Sequence, residues 1–150
     1  MLFRTAKSTD LPALIAMIAD DELGKKREDY RLPLPESYLK AFEIIEADPH
    51  QELIVLESSE GQIMGTLQIS YLQYLTYQGG MRAQIEAVRI HREHRQKGLG
   101  KKLFQWAIQR AQDRGAHLVQ LTTDKQRPAA LQFYLDLSFQ ASHEGLKLHF

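Results

Sequence analysis

Arg95-Gln96-Lys97-Gly98-Leu99-Gly100 lies between an apolar stretch and a strongly amphipathic run. Upstream, Gln84-Ile85-Glu86-Ala87-Val88-Arg89-Ile90 reads as a buried strand carrying one carboxylate in its middle. Downstream, Leu103, Phe104, Ala107, Ile108 and Ala111 recur at helical spacing, and Gly115 supplies a stop. A glycine-rich turn that opens a helix directly after a strand is a device for holding phosphate. The glycines let the backbone approach the anion, several N–H groups face it, and the helix N-terminus adds partial positive charge. Arg95 and Lys97 within the loop, and Lys101 and Lys102 just after it, strengthen the attraction.

Two common phosphate loops fail against this stretch. A nucleotide P-loop needs four residues between its glycines and then Lys-Ser/Thr, whereas only Leu99 separates Gly98 from Gly100 and Lys102 follows Lys101. A dinucleotide fingerprint needs a third glycine where this chain has Leu103. A second motif narrows the choice: Arg127-Pro128-Ala129-Ala130-Leu131-Gln132-Phe133-Tyr134-Leu135-Asp136-Leu137-Ser138-Phe139 reads as a short helix carrying Phe-Tyr and closing before a Phe. An apolar strand, Leu118 to Leu121, separates the two motifs. Together they resemble the GNAT superfamily of N-acetyltransferases, whose coenzyme A pyrophosphate loop has the pattern Arg/Gln-x-x-Gly-x-Gly/Ala. The resemblance covers residues 84 to 139 by motif and the rest by element order.

That resemblance implies the residue roles. The loop Arg95, Gln96, Lys97, Gly98, Leu99, Gly100 and Lys101 would hold the pyrophosphate of acetyl-CoA. The backbone of Val88, Arg89 and Ile90 would bind the pantetheine arm as an added strand would, one N–H polarising the thioester carbonyl. Asp124, Lys125 and Arg127 would lie along the cofactor. Two departures stand out: the family often has Asn where this chain has Asp124, and Gly where it has Ser138. An acid is ill suited to a polyanionic cofactor, and Ser138 implies an altered or strained helix exit.

Acetyl transfer to an amine poses three problems: the amine must lose a proton, the carbonyl oxygen gains charge, and the thiolate must be neutralised. Tyr134 sits where the family commonly places the acid for the thiolate, a phenol being protonated at neutral pH. Its alternative is a packing residue beside Phe133. Glu86, among apolar neighbours, is costly unless hydrogen-bonded, paired or facing a cleft, and partial desolvation would make it a better base. Its alternative is a salt bridge to Arg82 or Arg89. Strand parity puts Glu86 on the face of Val88 and Ile90 unless a bulge intervenes. Lys125 and Arg127 have a simpler alternative as solvated cations, the commoner state of basic residues near a helix start.

Composition sets the bounds. The chain has 150 residues, 43% of them hydrophobic, enough for a single domain with a full core over residues 1–150. Its 19 basic and 19 acidic residues cancel, which argues against an electrostatic nucleic-acid binder. Cysteine is absent, which excludes disulfides, zinc–thiolate sites and a thiol nucleophile, so acyl transfer is direct or uses an oxygen or nitrogen nucleophile. His91-x-x-His94 lacks a third ligand and reads as loop histidines, so no metal is expected. Leu11 to Ile18 lacks a secretory pattern, and no apolar run approaches the ~20 residues needed to span a bilayer, so the expected location is cytoplasmic and no membrane partner is expected.

Element order predicts an α/β domain, β-α-α-β-β-β-α-β-α-β, ending in an extended stretch that turns at Glu144-Gly145. The resemblance makes it a GNAT-like mixed, mostly antiparallel sheet with flanking helices, the strands beside the loop splaying to admit acyl-CoA. Ser8 or Thr9 is expected to cap the first helix, and Tyr38, Ala41, Phe42 and Ile45 to form the buried stripe of the second. The charged segment 20–35 is expected to wall an acceptor pocket, its Asp20, Asp21, Glu22 and Asp29 favouring a cationic amine, although Lys25, Lys26, Arg27 and Arg31 interleave. The expected function is acetyl-CoA-dependent N-acetyl transfer directly to a primary amine of a small molecule or peptide. A non-catalytic acyl-CoA-binding or regulatory module is the alternative. A homodimer is an expectation of the family only.

Overall fold

The computed structural model describes residues 1–150. Its contacts divide the chain into two compact units, Met1–Gln120 and Leu121–Phe150. The first contains β1 (Leu2–Thr5), α1 (Leu11–Ala19), α2 (Gly24–Arg27), α3 (Glu36–Ala47), β2 (Gln51–Glu57), β3 (Ile63–Gln73), a single distorted turn α4 (Thr76–Gly79), β4 (Met81–Ile90), α5 (Leu99–Asp113) and β5 (Leu118–Gln120). The five strands form one sheet in the order β1-β2-β3-β4-β5. The first three pairings are antiparallel, and β4 pairs with β5 in parallel because the α5 crossover joins them. Ser58 and Gly61 make the β2–β3 turn: the Ser58 hydroxyl accepts from the Glu60 and Gln62 N–H groups, and Gly61 takes a φ of +82°.

Alternation along the strands sorts the sheet into two covered faces. Leu53 and Val55 pack with Leu11, Leu14 and Met17 of α1 and Phe42 of α3. The opposite face belongs to α5, whose Leu103, Phe104, Ala107 and Ala111 are fully buried. There Arg110 of α5 donates two hydrogen bonds, of 3.0 and 2.8 Å, to the buried Glu52 carboxylate. Burial, and then the nearby Glu52 charge, pushes the Tyr71 phenol up to about 12.

Several local expectations give way to tertiary structure. Ser8 and Thr9 lie inside a 3-10 turn, and Asp10 ties the entry to α1, accepting from the Lys7 N–H at 2.7 Å and from Arg4. Burial works against the Asp10 charge, yet Arg4 and that N–H hold its carboxyl below the usual carboxylate range. On α3, Phe42 is buried while Ala41 is exposed. The segment after α1 gains a turn of helix, α2, and its Gly24 packs so closely that a Cβ there would lie 2.1 Å from the Ile18 carbonyl oxygen.

The second unit contains α6 (Pro128–Asp136) and an irregular tail. The extended stretch expected at the C-terminus does not form a strand. Leu146, Leu148 and Phe150 do alternate as a strand would, but are 94%, 80% and 115% exposed.

Candidate active site

β4 carries the first of the expected site residues and changes register among them. Glu86 is opposite Gln68 and Arg89 is opposite Thr66, so Ala87 and Val88 together face Leu67 as a bulge. Ala87 takes a φ of 53°, the left-handed conformation such a bulge requires. The bulge moves the parity. Glu86 aligns with Gln68 and Leu53, and Arg89 with Thr66 and Val55, so both stand on the α1/α3 face, whereas Ile90 aligns with Gly65 and Leu56 on the α5 face. Glu86 therefore does not share a face with Ile90.

Glu86 is exposed, so the desolvation its apolar neighbours suggested is absent. Neither arginine pairs with it: Arg82 stacks over the Tyr74 ring at 4.8 Å, and Arg89 turns to Asp21 at 3.5 Å. Instead Gln120 donates to the Gln84 side-chain oxygen at 2.8 Å, and Gln84 donates to Glu86 at 2.9 Å. This amide chain crosses from β5 to β4 and holds the carboxylate on the sheet surface. Gln84 was legible as a neighbour two residues from Glu86 on one strand face; Gln120 needed the parallel register.

Beyond the Gln84–Gln120 pair, β5 ends while β4 continues from Ile85 to Ile90. The two strands thus stop pairing just ahead of the loop. Gln96 and Gly98 take φ values of 61° and 73° and bend the chain into α5. The first intrahelical bond runs from the Lys102 N–H to the Gly98 carbonyl, 3.2 Å, which leaves the N–H groups of Leu99, Gly100 and Lys101 at the helix's open end. Lys97 and Lys101 are exposed beside them. A strand end, a left-handed turn and three N–H groups left over by the helix are an arrangement that can hold an anion.

The side chain of Arg95 is engaged at both ends, Nε donating to the Ile90 carbonyl at 3.1 Å and Nη2 to Asp20 at 2.8 Å. Arg92 donates to the other oxygen of Asp20. The remaining acids of the segment pair as well, Glu22 with Lys25 and Asp29 with Arg31. Ion pairs therefore take up the charge that was expected to favour a cationic amine. His91 accepts from the Glu93 N–H and starts the 3-10 turn at Arg92–His94.

The second unit holds Asp124, Lys125, Arg127 and Tyr134. Asp124 accepts from the Gln126 N–H with its side chain, 2.8 Å, and from the Arg127 N–H with its carbonyl, 2.9 Å. That is a local turn which Asp makes as well as Asn, so the departure at 124 has a structural account. Lys125 lies 3.7 Å from Glu144, both highly exposed, and Arg127 is the N-cap of α6. Tyr134 is half-buried, its ring edge-on to Phe133 at 5.5 Å and to Phe139 at 6.1 Å. The exit of α6 keeps glycine geometry without glycine. Ser138 takes a φ of 69°, the Phe139 N–H reaches the Tyr134 carbonyl, and the Ser138 N–H reaches that of Leu135. This is a Schellman motif, and a left-handed serine in it costs about 1–2 kcal/mol.

Comparison with known proteins places this geometry. The Acetyltransferase (GNAT) family matches residues 17–139. An aminoalkylphosphonate N-acetyltransferase of Salmonella typhimurium is 26% identical over 142 residues, covering 93% of this chain and 85% of that protein. A crystal structure from Bacillus halodurans C-125, described as a transcriptional regulator, is 55% identical with a TM-score of 0.95 and covers 99% of both chains. Glucosamine-6-phosphate N-acetyltransferase from Arabidopsis thaliana shares the fold at 20% identity, with a TM-score of 0.79 over 99% of this chain and 97% of that one. The open five-stranded, mostly antiparallel sheet with its flanking helices is the fold of such enzymes. No helix is long and apolar enough to cross a membrane. With the family matched from α1 through the α6 exit, the chain belongs to the GNAT acetyltransferases.

Proposed function

We propose that residues 1–150 work as one N-acetyltransferase domain in the cytoplasm, moving the acetyl group of acetyl-CoA directly to a primary amine of a small molecule or peptide. The observation that carries this reading is the loop: Gly98 in a left-handed turn, three N–H donors at the start of α5, and the adjoining end of β4 running past β5. Such a cradle suits a pyrophosphate. Residues Arg95 to Lys101 bind it, and the backbone of Val88, Arg89 and Ile90 takes the pantetheine arm. Asp124 shapes the turn into α6, where Lys125 and Arg127 supply positive charge.

Glu86 receives the proton of the attacking amine, directly or through a water, and Gln84 and Gln120 fix its exposed carboxylate. Tyr134 donates its phenolic proton to the departing thiolate. Absence of cysteine removes the thiol acyl-enzyme route, which favours a ternary complex. The Salmonella relative's name supports a small amine as acceptor.

The relative described as a transcriptional regulator favours a second reading, a non-catalytic acyl-CoA-binding or regulatory module. A sensor needs neither an exposed carboxylate beside the strand end nor the Tyr134 hydroxyl, and this chain has both. Initial rates with acetyl-CoA and an amine varied together test the direct route. Intersecting double-reciprocal lines are expected; parallel lines would mean a covalent acyl-enzyme.

A further inference from the structure

We propose that Asp20 is a built-in competitor for the phosphates of the cofactor, holding Arg92 and Arg95 until the cofactor displaces it. The inference rests on the reading of residues 95–101 as a pyrophosphate loop and adds a control element to that same site. Asp20 follows α1 directly, and its side chain is only 14% exposed because both carboxylate oxygens are covered by the two arginines. Arg95 is thereby drawn back against the β4 end, bridging Asp20 and the Ile90 carbonyl. The neighbouring Asp21 anchors separately, to Arg89 and to the Gly24 N–H at 2.6 Å. Breaking the Asp20 pairs therefore loosens the segment without detaching it.

Magnitudes favour exchange over permanence. Arg92 and Arg95 keep 68% and 46% of their side chains exposed, so a phosphate arriving from solvent reaches both guanidinium groups while Asp20 still holds them. A pyrophosphate offers more negative charge than one carboxylate and accepts the planar guanidinium in two-point contact, so it outcompetes Asp20 for the same groups. Linkage fixes the sign. Whatever the Asp20 pairs contribute to holding segment 20–28 closed is subtracted from cofactor affinity, and cofactor binding must open that segment in return. An Asp20 that merely held the arginines ready would have the opposite sign, since its loss would weaken binding.

The test is calorimetric titration of coenzyme A into the wild type and Asp20→Asn, which removes the charge and keeps the shape. The variant is expected to bind about 3- to 10-fold tighter, the combined effect of two pairs exposed on their arginine side. Amide hydrogen exchange in the wild type gives a second reading that depends on no variant: coenzyme A should speed exchange across residues 20–28. Equal or weaker binding by Asp20→Asn, or slowed exchange there, would overturn the competitor role while leaving the loop assignment intact. A wild-type protein that binds no coenzyme A would overturn both.

Discussion

Tyr134→Phe is expected to bind acetyl-CoA as the wild type does and to turn over about 10²–10⁴-fold more slowly, the usual worth of a positioned general acid. The substitution removes one hydroxyl and keeps the ring. The edge-on contacts of the ring with Phe133 and Phe139 survive in phenylalanine, and the hydrogen bonds that close α6 come from backbone atoms of Tyr134, Leu135, Ser138 and Phe139. A loss of turnover with retained folding and retained cofactor affinity therefore reports on the phenolic proton. The measurement is kcat under conditions where chemistry limits the rate. Wild-type turnover there would make Tyr134 a packing residue and leave the thiolate to be protonated by another group.

Gly98→Val is expected to keep the fold and lose roughly 10- to 100-fold in coenzyme A affinity, the equivalent of one or two hydrogen bonds to a charged group. The glycine sits at a φ of 73°, and a Cβ built on it would meet no atom within 4 Å beyond its own stretch of chain. The strain therefore falls on the loop backbone and not on the core. A β-branched residue resists the left-handed conformation most strongly, so the turn opens and the first-turn N–H groups lose their common aim. Calorimetry with coenzyme A checks the expectation, with a melting curve to confirm that the variant is folded. Undiminished affinity in a folded variant would remove the loop from the cofactor site.

Most of the architecture was legible because it rests on local signals. The helical spacing of Leu103, Phe104, Ala107 and Ala111 and the stop at Gly115 gave α5, and the Ser58–Gly61 cluster gave the β2–β3 hairpin. What escaped depends on partners remote in sequence. The pairing of Asp20 with Arg92 and Arg95 joins positions more than seventy residues apart, and no local pattern announces it. The bulge at Ala87 was foreseeable only as an exception to parity, because alanine carries no signal for a positive φ. The partner of Glu86 was legible only as a class, hydrogen bond, ion pair or cleft, since its neighbours in sequence are apolar, while its neighbours across the sheet, Gln68 and the Gln84–Gln120 pair, are polar. At the C-terminus Leu146, Leu148 and Phe150 have strand periodicity, yet the tail takes up no strand.

The measurement that bears most directly on the whole account is release of free thiol from acetyl-CoA, followed with and without a panel of primary amines and with mass spectrometry of the acceptor. Thiol should appear only when an amine is present, in step with one acetyl group gained by that amine. Coenzyme A binding without amine-dependent thiol release across small-molecule and peptide amines would contradict the account and leave a module that binds the cofactor without catalysis.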